Sequence, residues 1–359
     1  MSVSLSKILA SSRFNWLLLA VPFSLIIGYA TGYEIAAFAA AALAILPLAR
    51  LMGEATEQIT RSSGPSFGAF LNASFGNATE LIIALAAVRQ GLFELVKASI
   101  TGSIIGNILI VMGLALLAGG WSRHNQRFDR TAAGANSAML LLAVIALVVP
   151  AVYDLTVFGK LETTGPAVET LSLLVSIVLI ATYALSLIFT FRTHKAPANM
   201  ADVEPAEWRP RTAALVLAAT TVLIAAVSEV LVGASESTAR ALGMTELFVG
   251  VVIVALIGNA AEHATAVQMA VKDKMDAALG IAIGSSIQIA LFVAPVIVFA
   301  SYLFGRPMSL VFTGFEIAAV ALSVAITALV SLDGESNWLE GAQLIAVYLI
   351  LAIAFYFIP

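Results

Sequence analysis

No cysteine occurs among the 359 residues, so neither a disulfide framework nor a thiolate metal site is available. A metal bound by this chain has to be held by oxygen or imidazole. Charge is scarce as well: Asp, Glu, Lys and Arg make up 11% of the residues, where soluble domains carry about 25%. The hydrophobic share is 60%, against about 45–50% in soluble domains, which places most of the chain in lipid. The formal net charge of -4 is spread over loops and offers no basic surface for nucleic acid. The expected macromolecular surroundings are a lipid bilayer and no nucleic acid.

Apolar runs of roughly the 20 residues needed to cross a bilayer lie near 14–31, 34–52, 66–88, 94–119, 131–152, 166–190, 211–233, 245–271, 275–301, 308–331 and 338–358. They predict an all-α polytopic membrane protein of about eleven transmembrane helices. Lys7 and Arg13 before the first run resemble the start of a secretory signal. The unbroken succession of later runs favours a first transmembrane helix instead. One long polar, Pro-containing stretch interrupts the pattern, from Arg192 to Pro210. The expected division is therefore an accessory first helix over 1–33, a five-helix half over 34–191, a linker over 192–210 and a second half over 211–359.

Lys and Arg concentrate on one side of that topology. Only Arg89, Lys97, Lys160, Arg240 and Arg306 fall on the other side, leaving thirteen of the 18 basic residues on the side of the N-terminus. The positive-inside rule then predicts a cytoplasmic N-terminus and an external C-terminus. Short termini and compact loops point to a prokaryotic plasma (inner) membrane. The sequence is compatible with a homo-oligomer.

An internal repeat shows when Gly76-Asn77-Ala78-Thr79-Glu80 is laid on Gly258-Asn259-Ala260-Ala261-Glu262, an offset of 182 residues. The same offset pairs Gly102-Ser103 with Gly284-Ser285. Because the third and eighth apolar runs are an odd number of spans apart, equivalent segments cross the membrane in opposite directions. That is the inverted repeat of many secondary transporters.

Glu80 and Glu262 sit inside apolar segments, where an ionised carboxylate costs at least about 2.5–3.5 kcal/mol. A lone intramembrane Glu can simply pin two helices, but two at equivalent repeat positions indicate function. Each has an Asn three residues earlier, Asn77 and Asn259, which puts amide and carboxylate on one helix face. Gly76 and Gly258 lower helix propensity just before, so local unwinding there can release backbone carbonyls. Gly102/Gly106 and Gly280/Gly284 have the small-xxx-small spacing of close helix packing. Ser103, Asn107, Ser285, Ser286 and Gln288 can line a cavity or bond across helices, and both readings stay open. His263 can serve protons or packing. Glu54 and Glu229, nearer helix ends, are candidates for ion entrances; Glu57 and Glu236 read as interfacial carboxylates.

Two carboxylates with amide, hydroxyl and backbone oxygens suit a hard divalent cation, and calcium takes about 6–8 such ligands in flexible geometry. The same carboxylates can bind protons once the metal leaves. Competition for one site, alternately open to each membrane face, couples metal flow in one direction to proton flow in the other. Exchange of manganese, cadmium, sodium or potassium for protons would use the same groups. A channel lacks a ring of selectivity carboxylates, and an enzyme is not expected: the motif His-Glu-x-x-His is absent, and three His assemble no convincing zinc site.

At Gly76-Asn77-Ala78-Thr79-Glu80-Leu81-Ile82, Gly258-Asn259-Ala260-Ala261-Glu262-His263 and Gly284-Ser285-Ser286-Ile287-Gln288-Ile289-Ala290-Leu291-Phe292, the chain resembles the calcium/proton antiporters, or cation/proton exchangers, of the calcium/cation antiporter superfamily. Sodium/calcium exchangers typically place Pro before the Glu, whereas this chain has Thr79 and Ala261 there. The resemblance implies one accessory helix plus two inverted groups of five, no cofactor, and Glu80 and Glu262 binding calcium or protons in turn with Asn77 and Asn259 beside the ion. It also implies sliding of the first helix of each half. The family's linker often holds a strongly acidic helix; here it offers only Asp202, Glu204 and Glu207.

Overall fold

The computed structural model describes residues 12–63, 71, 74–159, 165–189 and 206–358. Almost all of them are helical. After a 3-10 turn at Arg13–Leu19 come α1 (Ala20–Ala30), α2 (Glu34–Ser63), α3 (Ala78–Gln90) and α4 (Phe93–Gly120). Next are α5 (Arg130–Phe158), α6 (Pro166–Ile188), α7 (Pro210–Gly233) and the short α8 (Ser235–Ala241). The chain ends with α9 (Glu246–Gly258), α10 (Ala260–Val271), α11 (Met275–Leu303), α12 (Gly314–Val330) and α13 (Trp338–Phe357).

Seven of these helices are long and apolar enough to cross a membrane, and α8 with α9 makes an eighth if that pair is one span. The helix over Phe14–Ala30 and α12 are apolar but shorter. Eleven spans were expected; the described residues therefore give the all-helical membrane architecture without that count, and the run near 66–88 lies partly outside them, as does most of the linker. The expected run 34–52 continues as helix to Ser63. Its added turns are polar, and Arg50 with Glu54 and Arg61 with Glu57 pair one turn apart along it, the spacing that supports an exposed helix.

The sequence repeat is matched by the secondary structure. An offset of 182 carries Phe93, the first residue of α4, onto Met275, the first of α11, and Ala78 of α3 onto Ala260 of α10. Both α4 and α11 widen into a π turn at corresponding places, Gly106–Val111 and Ile289–Val293. A third π turn occupies Val249–Val254 of α9. Donors from other helices reach carbonyls in and beside the first of these: the Thr327 hydroxyl donates to Ile108 O at 3.4 Å and the Ser286 hydroxyl to Ile104 O at 3.3 Å. π turns of this kind gather at functional sites.

The chain separates into two compact units, each assembled from both sequence halves. One comprises residues up to Gln90 together with Thr182–Gly243, the other Gly91–Ala181 with Met244 onward, and the division falls within α6. In the first unit α2 and α7 form the principal helix pair, with α1 and α3 packed beside them. Trp208 is buried against Leu51, Ala55, Ala213 and Val216. Gln58 Oε1 accepts the backbone N–H of Glu207 at 2.8 Å and of Trp208 at 3.1 Å. These two donors precede α7, so the Gln58 side chain satisfies backbone groups that its helix cannot.

In the second unit α4 is central and packs on α9, α10, α11 and α13. Its approach to α9 depends on glycine: a Cβ at Gly102 would overlap the Val251 backbone, and one at Gly250 would meet Ala98 Cβ at 2.5 Å. Its approach to α13 depends on Gly113 and Gly341 in the same way. A two-stranded antiparallel ribbon, β1 (Gln126–Arg127) with β2 (Glu335–Ser336), joins the loop after α4 to the loop before α13.

Candidate functional site

Each repeated Gly-Asn-Ala-x-Glu motif marks a helix start. Gly76 and Asn77 form a turn before α3, and Gly258 ends α9, with Asn259 alone separating it from α10. The expected interruption is therefore present, at the Asn after each Gly. Asn77 O accepts the Leu81 N–H and Asn259 O the His263 N–H, both at 3.1 Å, so the two starts share one hydrogen-bond pattern. Glu80 and Glu262 both fall in the first turn of their helices, where unpaired N–H groups and the helix dipole favour negative charge.

Asn77 and Glu80 belong to the first unit. Asn77 is buried, and Glu80 is half-buried with its Oε2 enclosed and unbonded among the described residues. The two candidate entrance carboxylates, both in this unit, are held by arginine. Glu54 pairs with Arg50 of the same helix, and Glu229 of α7 with Arg89 at the end of α3, at 3.2 Å. Gln90 Nε2 also donates to Glu229 O at 3.4 Å. The charge rule left Arg89 on its disfavoured side; the pair with Glu229 supplies a physical reason for it. Because Arg89 is 66% exposed, the pair contributes less than about 1 kcal/mol. Arg89→Gln is accordingly expected to shift the melting temperature in detergent by no more than a few degrees, and a larger loss would mean that the pair anchors α3.

Asn259, Glu262 and His263 belong to the second unit, with Ser103 and Asn107 on α4 and Ser285, Ser286 and Gln288 on α11. Three of them form a buried chain. Asn107 Nδ2 donates to Asn259 Oδ1 at 3.2 Å, and Asn259 Nδ2 donates to Ser103 Oγ at 3.0 Å and to Ala255 O at 2.8 Å. The Asn259 side chain thus fills the break that its own backbone makes, and ties it to α4. Asn107 Oδ1 is left enclosed and unbonded among the described residues. Its acceptor capacity needs a donor or a cation, since a buried polar atom without one costs about 1–3 kcal/mol.

Ser286 takes the helix-bridging role, with its hydroxyl shared between Ile104 O and Ala282 O. Ser285 is buried and Gln288 half-buried. His263 is half-buried too, and its Nε2 makes no hydrogen bond among the described residues. The glycines divide differently from the packing expectation. Gly102 is a contact glycine, but a Cβ at Gly106, Gly280 or Gly284 would meet nothing within 4 Å. Small-xxx-small spacing marks a shared helix face, yet only the member facing a neighbour's backbone needs to be small.

A family model described as "Sodium/calcium exchanger protein" matches residues 33–192 and 212–357. The chain belongs to this exchanger family. The Ca(2+)/H(+) antiporter of Aphanothece halophytica is 46% identical to it over 363 residues, with 96% of either chain covered. The Ca(2+)/H(+) antiporter ChaA of Bacillus subtilis is 44% identical, over 89% of the exchanger and 91% of the relative. Among solved structures, native YfkE superposes with a TM-score of 0.85 at 40% identity, over 97% of the exchanger and 100% of YfkE. The H+/Ca2+ Exchanger CAX gives a TM-score of 0.70 at 17% identity, a likeness of fold.

Proposed function

We propose that this chain is a secondary active transporter that exchanges calcium for protons across the membrane by alternating access. Near-full-length relatives named Ca(2+)/H(+) antiporter support the reading. The observation that carries it is the repeated helix start with a first-turn Glu, accompanied by enclosed acceptor oxygens, Oε2 of Glu80 and Oδ1 of Asn107, that no donor among the described residues satisfies. Oxygens short of donors are what a hard cation requires.

In this reading Glu80 and Glu262 take calcium or protons in turn, and Asn77 and Asn259 contribute amide oxygens beside them. Asn259 is held in place by Ser103 and Asn107. A carboxylate that gives up calcium takes up a proton and becomes neutral, which lowers the cost of keeping it in lipid. Glu54 and Glu229 serve ions approaching from the two ends, where a cation competes with Arg50 and Arg89 for their carboxylates. The N-terminus faces the cytoplasm, the chain crosses the membrane eleven times, and the two halves divide at the 192–210 linker.

Purified protein in sodium-free liposomes, acid inside, is expected to drive external calcium inward as protons leave, and a protonophore is expected to collapse the uptake. Uptake that ignores the pH gradient would overturn antiport. Transport of another cation in place of calcium would keep the architecture and replace the substrate.

A further inference from the structure

The C-terminus of α10, the short helix that carries Glu262, is closed in an unusual way. Lys274 N donates to Met269 O at 2.9 Å and Asp273 N to Ala270 O at 3.1 Å. This is the Schellman arrangement, which calls for a left-handed residue at the position of Asp273. Asp273 does adopt φ 61° there and is the one non-glycine residue with positive φ among those described. Glycine would take that conformation at lower cost, so the side chain needs a separate explanation.

Arg123, in the loop after α4, provides it. Its Nε lies 3.4 Å from Asp273 Oδ1. The same guanidinium donates through Nη1 to Gly119 O at 2.6 Å and Ala270 O at 3.4 Å, and through Nη2 to Val271 O at 3.0 Å. One side chain therefore holds terminal carbonyls of two helices, α4 and α10, and the cation sits at the negative end of both dipoles. The backbones are close at this point: a Cβ at Gly119 would lie 2.9 Å from Ala270 O. With Gln268 O accepting from Lys272 N at 3.2 Å, all of the last four carbonyls of α10 are satisfied, and Val271 O depends on Arg123 for it.

Glu262 is eight residues, about 12 Å, from Ala270 along this helix. The break at Asn259, tied to α4 by the Asn259 side chain, lies at one end of α10 and the Arg123 clamp at the other. We propose that Arg123 is a positioning residue for Glu262, fixing the axial position and tilt of α10 by its C-terminal end. The inference rests on the reading that Glu262 binds the exchanged ion. Only a planar fork reaches three carbonyls and a carboxylate at once; the Lys ammonium is a point donor on a flexible stem.

The test measures calcium and pH dependence of exchange in proteoliposomes for Arg123→Gln and Arg123→Lys, with detergent melting as a check on folding. Arg123→Gln is expected to raise the KM for calcium about ten-fold, a factor equivalent to about 1.4 kcal/mol, and to displace the pH profile, with maximal rate much less affected. Arg123→Lys is expected to be folded with an intermediate KM. Should the Gln variant fail to fold, the Lys variant decides: a raised KM supports the clamp. Wild-type KM and pH profile in a folded variant overturn it. Glu262→Gln serves as the separate control, because exchange that survives there defeats the reading of Glu262, whereas an inactive Glu262→Gln beside an unchanged Arg123→Gln defeats only the clamp.

Discussion

Liposomes containing Glu262→Gln are expected to take up calcium no faster than protein-free liposomes, and those containing Glu80→Gln to behave in the same way. Gln keeps the shape of Glu but removes both the charge that holds a divalent cation and the group that carries a proton back. Folding should survive, since a neutral amide costs less in lipid than a carboxylate. A first-turn Gln also leaves the Asn77 and Asn259 carbonyl bonds to Leu81 and His263 intact. The checks are the elution profile in detergent and uptake under a pH gradient. A well-folded variant of either Glu that exchanges calcium at the wild-type rate would remove that residue from the transport cycle.

The second large effect concerns packing. Gly102→Ala places a methyl group onto the Val251 backbone, where no side-chain rotation can relieve the overlap. The cost is expected to reach the upper end of the about 1–3 kcal/mol of overpacking, because a backbone has to move and Ser103, the partner of Asn259, moves with it. Yield and melting temperature should both fall, and uptake with them. Gly280→Ala has the same chemistry with nothing within 4 Å, and is expected to melt like the wild type. Equal melting of the two variants would show that α4 and α9 do not need this close approach.

Much of this was legible in the sequence because it depends on local pattern. Hydropathy located the starts of the long helices to within a few residues, although α2 runs on past the expected 34–52 to Ser63, and Gly258-Asn259 announced the break between α9 and α10, since glycine and an amide weaken a helix wherever they stand. The repeat offset located α10 and α11 from α3 and α4. Less was legible where a partner distant in sequence decides the outcome. Nothing local tells that Gly102 touches a backbone while Gly106 does not, or that Asn107 donates to Asn259. Arg123 read only as one more basic loop residue, because its role lies in carbonyls about 147 positions away. The π turns escaped as well: their sequences, rich in Ile, Leu and Val, fit an ordinary helix equally well.

Those π turns have a consequence for angular register. A π turn accommodates an additional residue within a helix, and each residue of an α-helix turns the side-chain direction by about 100°. Everything in α4 after Val111, and in α11 after Val293, is rotated by that amount relative to an uninterrupted helix. Since both halves carry the extra residue at matching places, the two helices remain in phase with each other. A one-residue deletion in only one π turn would shorten the chain minimally and yet turn the whole downstream face of that helix away from its neighbours, whereas the same deletion in both would restore the symmetry between the halves at the cost of every contact that the wider turns now make.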